Sequence, residues 1–77
     1  MPNSNFAKDF GERVREVRSL RGLSQEELGF KANLHRTAVS FIELAKRSAT
    51  LETIEKLARA LQVEPAELMP KLRRRGQ

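Results

Sequence analysis

Two short helical segments in the middle of the chain are separated by about three residues, and this spacing limits the folds open to it. Ser24 followed by Glu27 is a capping box, in which each side chain bonds a backbone N–H at the start of a helix. A helix is therefore expected to start at Ser24 and run for about two turns. Asn33 suits a left-handed turn position. The next helix is expected to begin around Leu34 or His35.

The segment LHRTAVSFIE, residues 34–43, combines two different faces. Val39 and Ile42 lie three residues apart, as in the buried stripe of a helix. The hydrogen-bonding side chains of the same segment are His35, Arg36, Thr37 and Ser40. A single short helix is thus predicted to have a narrow apolar face and a dense polar one.

These features together are the design of a helix-turn-helix motif. In that motif the second helix enters the major groove of DNA, where each base pair presents a distinct pattern of donors and acceptors. Arginine, threonine and serine near the start of the helix are suited to base edges and phosphates. The interpretation is that Val39 and Ile42 hold this helix against the domain while its leading and outer residues face DNA.

Helical periodicity continues through the rest of the chain. The apolar stripe of the first helix is Phe6, Phe10, Val14, Val17 and Leu20. This helix is expected to end at Gly22 and the fourth to start at Thr50. The fifth is expected to open with Pro65 and to end or kink at Pro70. No segment alternates like a strand. The prediction is one all-α domain over residues 1–77, with a core of about 6–69 and a frayed basic tail at 71–77.

Composition narrows the classes of partner. The net charge of +5 and pI near 10.5 favour polyanions, with double-stranded DNA the first expectation and an anionic membrane surface the second. MPNSNFAKDF lacks the pattern of a secretory leader, and no apolar run approaches membrane-spanning length. A cytoplasmic protein without membrane association is expected.

The residue types needed for a metal site or a catalytic centre do not occur together. The chain has no cysteine and a single histidine, His35, so a metal site is not expected. Ser24 already has a capping role and has no histidine at motif spacing, so it is not interpreted as a nucleophile. No enzymatic activity, no cofactor and no small-molecule ligand are predicted.

The sequences GLSQEELGFKANLHRTAVSFIE and TLETIEKLARALQVEPAEL resemble the Cro and phage-repressor type (XRE-like) helix-turn-helix family, over roughly residues 10–69. Within that family, LHRTAVSFIE is similar to the controller proteins of restriction-modification systems. The resemblance implies a compact five-helix bundle, a lambda-repressor-like DNA-binding domain, that binds operator DNA as a homodimer. It thereby implies a sequence-specific transcription regulator.

The resemblance also implies roles for individual residues. The matching DNA-contacting positions are Gln25, Lys46 and Arg47 for phosphates, Arg36 and Thr37 for bases, and Ser40 and Phe41 one turn further along. His35 is interpreted as a solvated residue at the helix start or a neighbour of a phosphate. Phe41 cannot donate a hydrogen bond, so it either contacts a thymine methyl or packs on the domain or a partner. Arg18 and Glu43 match a structural ion pair behind the recognition helix.

Three parts of the helix-turn-helix region depart from the family pattern. Asn33 stands where the family commonly has glycine, and Gly29 stands where it commonly has alanine. After the recognition helix the chain has Glu43-Leu44-Ala45, whereas the family usually has Glu-Arg-Gly or Glu-Asn-Gly. The loss of that glycine makes the conformation of the loop carrying Lys46 and Arg47 an open question.

Apolar residues near the C-terminal end are expected to form a symmetric dimer interface, and they are Val63, Ala66, Leu68 and Met69. Two other functions fit the same helices: an antitoxin with this fold, and a helical protein-interaction module. The polar first turn of helix three disfavours the protein-interaction module, because such a module would have apolar residues there. A DNA-binding regulator is the favoured hypothesis.

Overall fold

A computed structural model describes residues 5–72 and folds them into five α-helices. The helices are α1 (Asn5–Leu20), α2 (Gln25–Ala32), α3 (Arg36–Glu43), α4 (Leu51–Leu61) and α5 (Pro65–Leu68). No strand occurs in residues 5–72, so the all-α prediction is confirmed. None of the described helices is long and apolar enough to cross a bilayer. Most of the predicted basic tail, residues 73–77, lies outside the described residues.

All five helices contribute to one hydrophobic core. Its largest fully buried side chains are Leu28, Leu57, Leu61, Leu68, Val14 and Val39. Helices α2 and α3 pack on each other, and α1 and α4 pack across them. The core therefore lies directly behind the predicted recognition helix, α3.

Side-chain caps start the helices where the sequence predicts them. Ser24 and Glu27 form the expected capping box, with N–O distances of 3.0 and 2.8 Å. The backbone N–H of Ser24 stabilises the charged carboxylate, which lowers the pKa of Glu27 from its ordinary value. The Thr50 hydroxyl accepts from the Thr53 N–H at 3.1 Å and caps α4.

A left-handed residue follows each of the first four helices. Gly22 (φ 71°) and Asn33 (φ 57°) take this conformation at the predicted ends of α1 and α2. Ala45 (φ 59°) and Gln62 (φ 60°) take it after α3 and α4 although neither is glycine. At each end, the following N–H donates back to a carbonyl of the last turn, as from Lys46 to Phe41 at 2.8 Å. The chain thus reverses sharply after α3 even without glycine.

Two arginines, Arg13 in α1 and Arg21 in the turn directly after it, bond the ends of later helices. Arg13 Nε donates to the carbonyl of Glu67 in α5, and Arg21 Nε donates to the carbonyl of Leu61 at the end of α4, both at 2.8 Å. Terminal helix carbonyls lack partners within their own helix. Helix α1 therefore anchors the C-terminal third of the chain by polar contacts as well as by its apolar stripe.

The residues predicted for a dimer interface do not share one environment. Ala66 and Met69 are exposed, and Val63 is partly buried against the core. Leu68 has no exposed surface because it packs inside the core of its own domain, so its assignment to a dimer surface is wrong. Helix α5 has only four residues, which is too short for periodicity to indicate which side faces inward.

Candidate nucleic-acid interface

Helix α3 presents the two faces that its sequence predicts. Val39 and Ile42 are buried, with 0% and 3% of their surface exposed. Arg36 and Thr37, in the first turn, are exposed, whereas Ser40 and Phe41 are half-buried; Phe41 therefore packs partly against the domain. The outer surface at the start of α3 is polar and open to a ligand.

Close backbone contact fixes the N-terminal end of α3. A methyl group added at Gly29 of α2 would lie 2.6 Å from the Leu34 carbonyl oxygen and 3.3 Å from the Arg36 nitrogen. The Leu34 N–H also donates to the Gly29 carbonyl at 2.7 Å. Glycine at this position is therefore explained by the approach of the turn and the first residue of α3.

A second glycine, Gly11 of α1, contacts the C-terminal end of α3. A methyl group added at Gly11 of α1 would lie 2.6 Å from the carbonyl oxygen of Glu43 and would also clash with that of Ile42. Sequence reasoning did not single out Gly11, because its neighbours lie more than thirty residues away along the chain. Both ends of α3 are thus held against glycine backbone.

A buried carboxylate braces α3 from behind. Glu43, with 8% of its surface exposed, accepts from Arg18 Nε at 2.7 Å and from Arg18 Nη2 at 3.1 Å. The hydrogen bond to Glu43 raises the pKa of Arg18, with the carboxylate charge adding to the effect and burial opposing it. Arg18 Nη1 also donates to the Leu23 carbonyl at 2.8 Å. The pair ties α3 to both α1 and the loop before α2.

The structure gives Gln25 an internal partner that the sequence did not indicate. Its Nε2 donates to Glu43 Oε1 at 3.0 Å, so its side chain is half-buried beside the ion pair. A glutamine amide has a second N–H and a carbonyl oxygen. The second N–H of Gln25 can therefore donate to an anionic ligand while the first stays bound to Glu43.

His35 is the N-cap of α3. Its Nδ1 accepts from the Thr37 N–H at 3.0 Å. The ring therefore orders the first turn of α3, the same turn that carries Arg36 and Thr37.

The loop after α3 carries two exposed cations, Lys46 and Arg47. The Arg47 guanidinium carbon lies 5.2 Å from the centre of the Phe41 ring, within the range of a cation–π contact. Within residues 5–72, no ion pair involves Arg36, Lys46 or Arg47. These three positive charges are consequently available to an anionic ligand.

Comparisons with known proteins agree with this geometry. A helix-turn-helix family model matches residues 14–68. Control protein C.BamHI of Bacillus amyloliquefaciens is 46% identical over 67 residues, covering 86% of this chain and 83% of that protein. Control protein C.SmaI of Serratia marcescens is 40% identical over 58 residues, covering 75% and 69% respectively.

A solved structure shows the same arrangement of helices. The crystal structure of the restriction-modification controller protein C.AhdI from Aeromonas hydrophila has a TM-score of 0.81 and 46% identity, covering 82% of this chain and 96% of that one. The chain belongs to the helix-turn-helix family, and within it the chain is similar to the restriction-modification controller proteins.

Proposed function

We propose that the protein is a sequence-specific transcription regulator that binds operator DNA as a homodimer and controls a restriction-modification system in the cytoplasm. The observation that carries this proposal is the seating of α3. Its buried face and both of its ends are fixed, while the first turn exposes Arg36 and Thr37. A fixed helix with a polar leading edge is what the major groove can accept.

In this proposal the exposed residues divide into two roles. Arg36, in the first turn of α3, forms two hydrogen bonds with O6 and N7 of a guanine, while Thr37 and Ser40 contact neighbouring positions. Gln25, Lys46 and Arg47 bind phosphates, which gives affinity that is independent of sequence. The similarity to controller proteins supports this division, and no step of it requires a cofactor or a catalytic residue.

Two substitutions test the division of roles. Arg36→Ala should weaken operator binding and relax preference at one base pair per half-site, since a bidentate contact contributes about 1 to 3 kcal/mol of discrimination. Lys46→Ala should weaken binding to operator and random duplexes alike and should flatten the salt dependence. The operator is first selected from random duplexes. Affinities are then measured on matched and single-substituted operators at two salt concentrations.

Glu55→Ala, an exposed change on α4, is the control for both variants, because its ion pair with Arg59 is on the surface and away from α3. An equal loss for Arg36→Ala on every duplex would make Arg36 a phosphate contact instead of a base contact. Failure of the wild-type protein to select any duplex would refute the proposed function itself.

A further inference from the structure

The chain reversal after α3 brings Arg47 onto the ring of Phe41. Ala45 has φ 59°, and the next residue, Lys46, donates its N–H to the Phe41 carbonyl at 2.8 Å. This hydrogen bond returns the chain to the level of Phe41 immediately before Arg47. The guanidinium then lies 5.2 Å from the ring centre.

The contact with the ring is the interaction that orders the charged end of Arg47. No carboxylate of residues 5–72 pairs with this guanidinium, although four other ion pairs form in the same range. A ring contacts a guanidinium through its face and leaves the N–H donors at the edge free. Within residues 5–72 the Arg47 guanidinium also donates no hydrogen bond, so its N–H groups are available to a ligand.

Phe41 is more enclosed than an aromatic residue on the open surface. It is half-buried, whereas Phe30 on α2 has 88% of its surface exposed. A side chain that is already partly enclosed loses less conformational entropy when it is ordered in a contact. The half-buried ring of Phe41 is therefore better suited than an exposed ring to hold a cation.

We propose that Phe41 is a positioning residue for Arg47: its ring holds the guanidinium beside α3, where the free N–H edge binds a DNA phosphate flanking the major groove. This inference rests on the proposed function above. It gives Phe41 a role in affinity for DNA of any sequence. The competing role is direct contact with a thymine methyl, which would make Phe41 a base-contacting residue.

A double-mutant cycle distinguishes these roles. The proteins are the wild type, Phe41→Leu, Arg47→Gln and the double variant, with Phe41→Tyr as the conservative change. Leu20→Ala is the control, because it shortens an exposed apolar side chain at the end of α1. Each protein is titrated with its selected operator and with an unrelated duplex at two salt concentrations, and circular dichroism verifies that each is folded.

We expect Phe41→Leu to weaken binding to both duplexes about two- to fivefold, and Phe41→Tyr and Leu20→Ala to bind like the wild type. Arg47→Gln should reduce the salt slope by about 0.9 for each subunit that loses a phosphate contact. In the Arg47→Gln background, Phe41→Leu should have no further effect. If Phe41→Leu weakens operator binding alone, and does so equally in both backgrounds, the ring contacts a base and the proposal is overturned.

A measurement on the unsubstituted protein covers the case in which Phe41→Leu does not fold. A ring current should shift the δ-proton resonances of Arg47 upfield in the free protein, and Phe41→Tyr should preserve that shift. Random-coil resonances would show that the two side chains are not in contact and would overturn the proposal. Failure of the wild type to bind any duplex would instead refute the proposed function, because the Arg47 resonances do not depend on DNA.

Discussion

At the scale of single residues, Glu43 of α3 joins three helices, because its side chain bonds Arg18 of α1 and Gln25 of α2. It is nearly buried and bonds two groups on Arg18 and one on Gln25. A buried ion pair adds little net stability compared with apolar packing, but the loss of one partner leaves the other charge desolvated. Glu43 therefore determines where α3 sits more than how stable the fold is.

Substitution of Glu43 by glutamine should reduce stability without changing the preferred DNA sequence. The neutral amide retains one acceptor but leaves Arg18, whose side chain is 14% exposed, without a counter-charge. We expect the free energy of unfolding to fall by about 1 to 3 kcal/mol, measured by thermal and urea denaturation.

Glu16→Gln is the control, because the ion pair of Glu16 with Arg13 is exposed and should contribute little to the free energy of unfolding. The assignment would be wrong if Glu43→Gln retained full stability and altered operator preference. Glu43 would then face the groove.

At the scale of the elements, the position of α3 is set by backbone contact at both ends. Gly29 approaches the turn that precedes α3, and Gly11 approaches its last carbonyls. Protein interiors are close-packed, so an added methyl group at either point must displace a helix. The two glycines thus couple the orientation of α3 to α1 and α2.

The sign of the stability change caused by Gly11→Ala tests whether α3 packs closely against α1. In an ordinary helix interior this change stabilises by about 1 kcal/mol. Here the new methyl would lie 2.6 Å from the Glu43 carbonyl oxygen, so we expect destabilisation by about 1 to 3 kcal/mol and weaker DNA binding.

Ser19→Ala, at an exposed position of the same helix, should be neutral or slightly stabilising. Urea denaturation measures both variants. A Gly11→Ala protein more stable than the wild type would show that α3 does not press on α1 at this point.

Sequence patterns predicted the elements better than the contacts between them. The starts of α2 and α4 follow from Ser24, Glu27 and Thr50, because a cap is a local interaction. The left-handed conformations of Ala45 and Gln62 were not predictable, since neither residue favours it and tertiary packing must impose it.

The same limit applies to the site. The exposure of Arg36 and Thr37 follows from the positions of Val39 and Ile42 on one short helix. The contact of Gln25 with Glu43 joins residues 18 positions apart, so no local pattern could indicate it. The buried position of Leu68 likewise depends on how α5 docks against the other helices.

At the scale of the whole molecule, the proposed homodimer pairs the C-terminal ends of two copies. Ala66 and Met69 are exposed there, and Met69 lines a small cavity of about 160 Å³ together with Phe6 and Phe10. The domain measures 39 × 21 × 21 Å. In the proposed homodimer, the two recognition helices would have to lie about 34 Å apart to enter successive turns of the major groove.

Ala66→Glu should therefore prevent dimer formation while preserving the monomer fold, because the side chain is exposed and an acidic residue is favourable in the first turn of a helix. Leu51→Glu is the control, since Leu51 is 86% exposed and lies at the start of α4, the end that does not adjoin α5. Sedimentation at micromolar concentration measures both variants, with and without operator. A wild-type protein that remains monomeric under both conditions would contradict the proposal of a homodimer.

The glycine contacts at both ends of α3 also bear on how such a protein can diverge. Because α3 touches its neighbours there through backbone atoms, the side chains of Arg36 and Thr37 take no part in seating it. After gene duplication, these two positions can mutate independently of the scaffold, and each intermediate remains folded. Single substitutions can then change which operator is bound. Two copies in one genome can come to bind different operators without any change in fold.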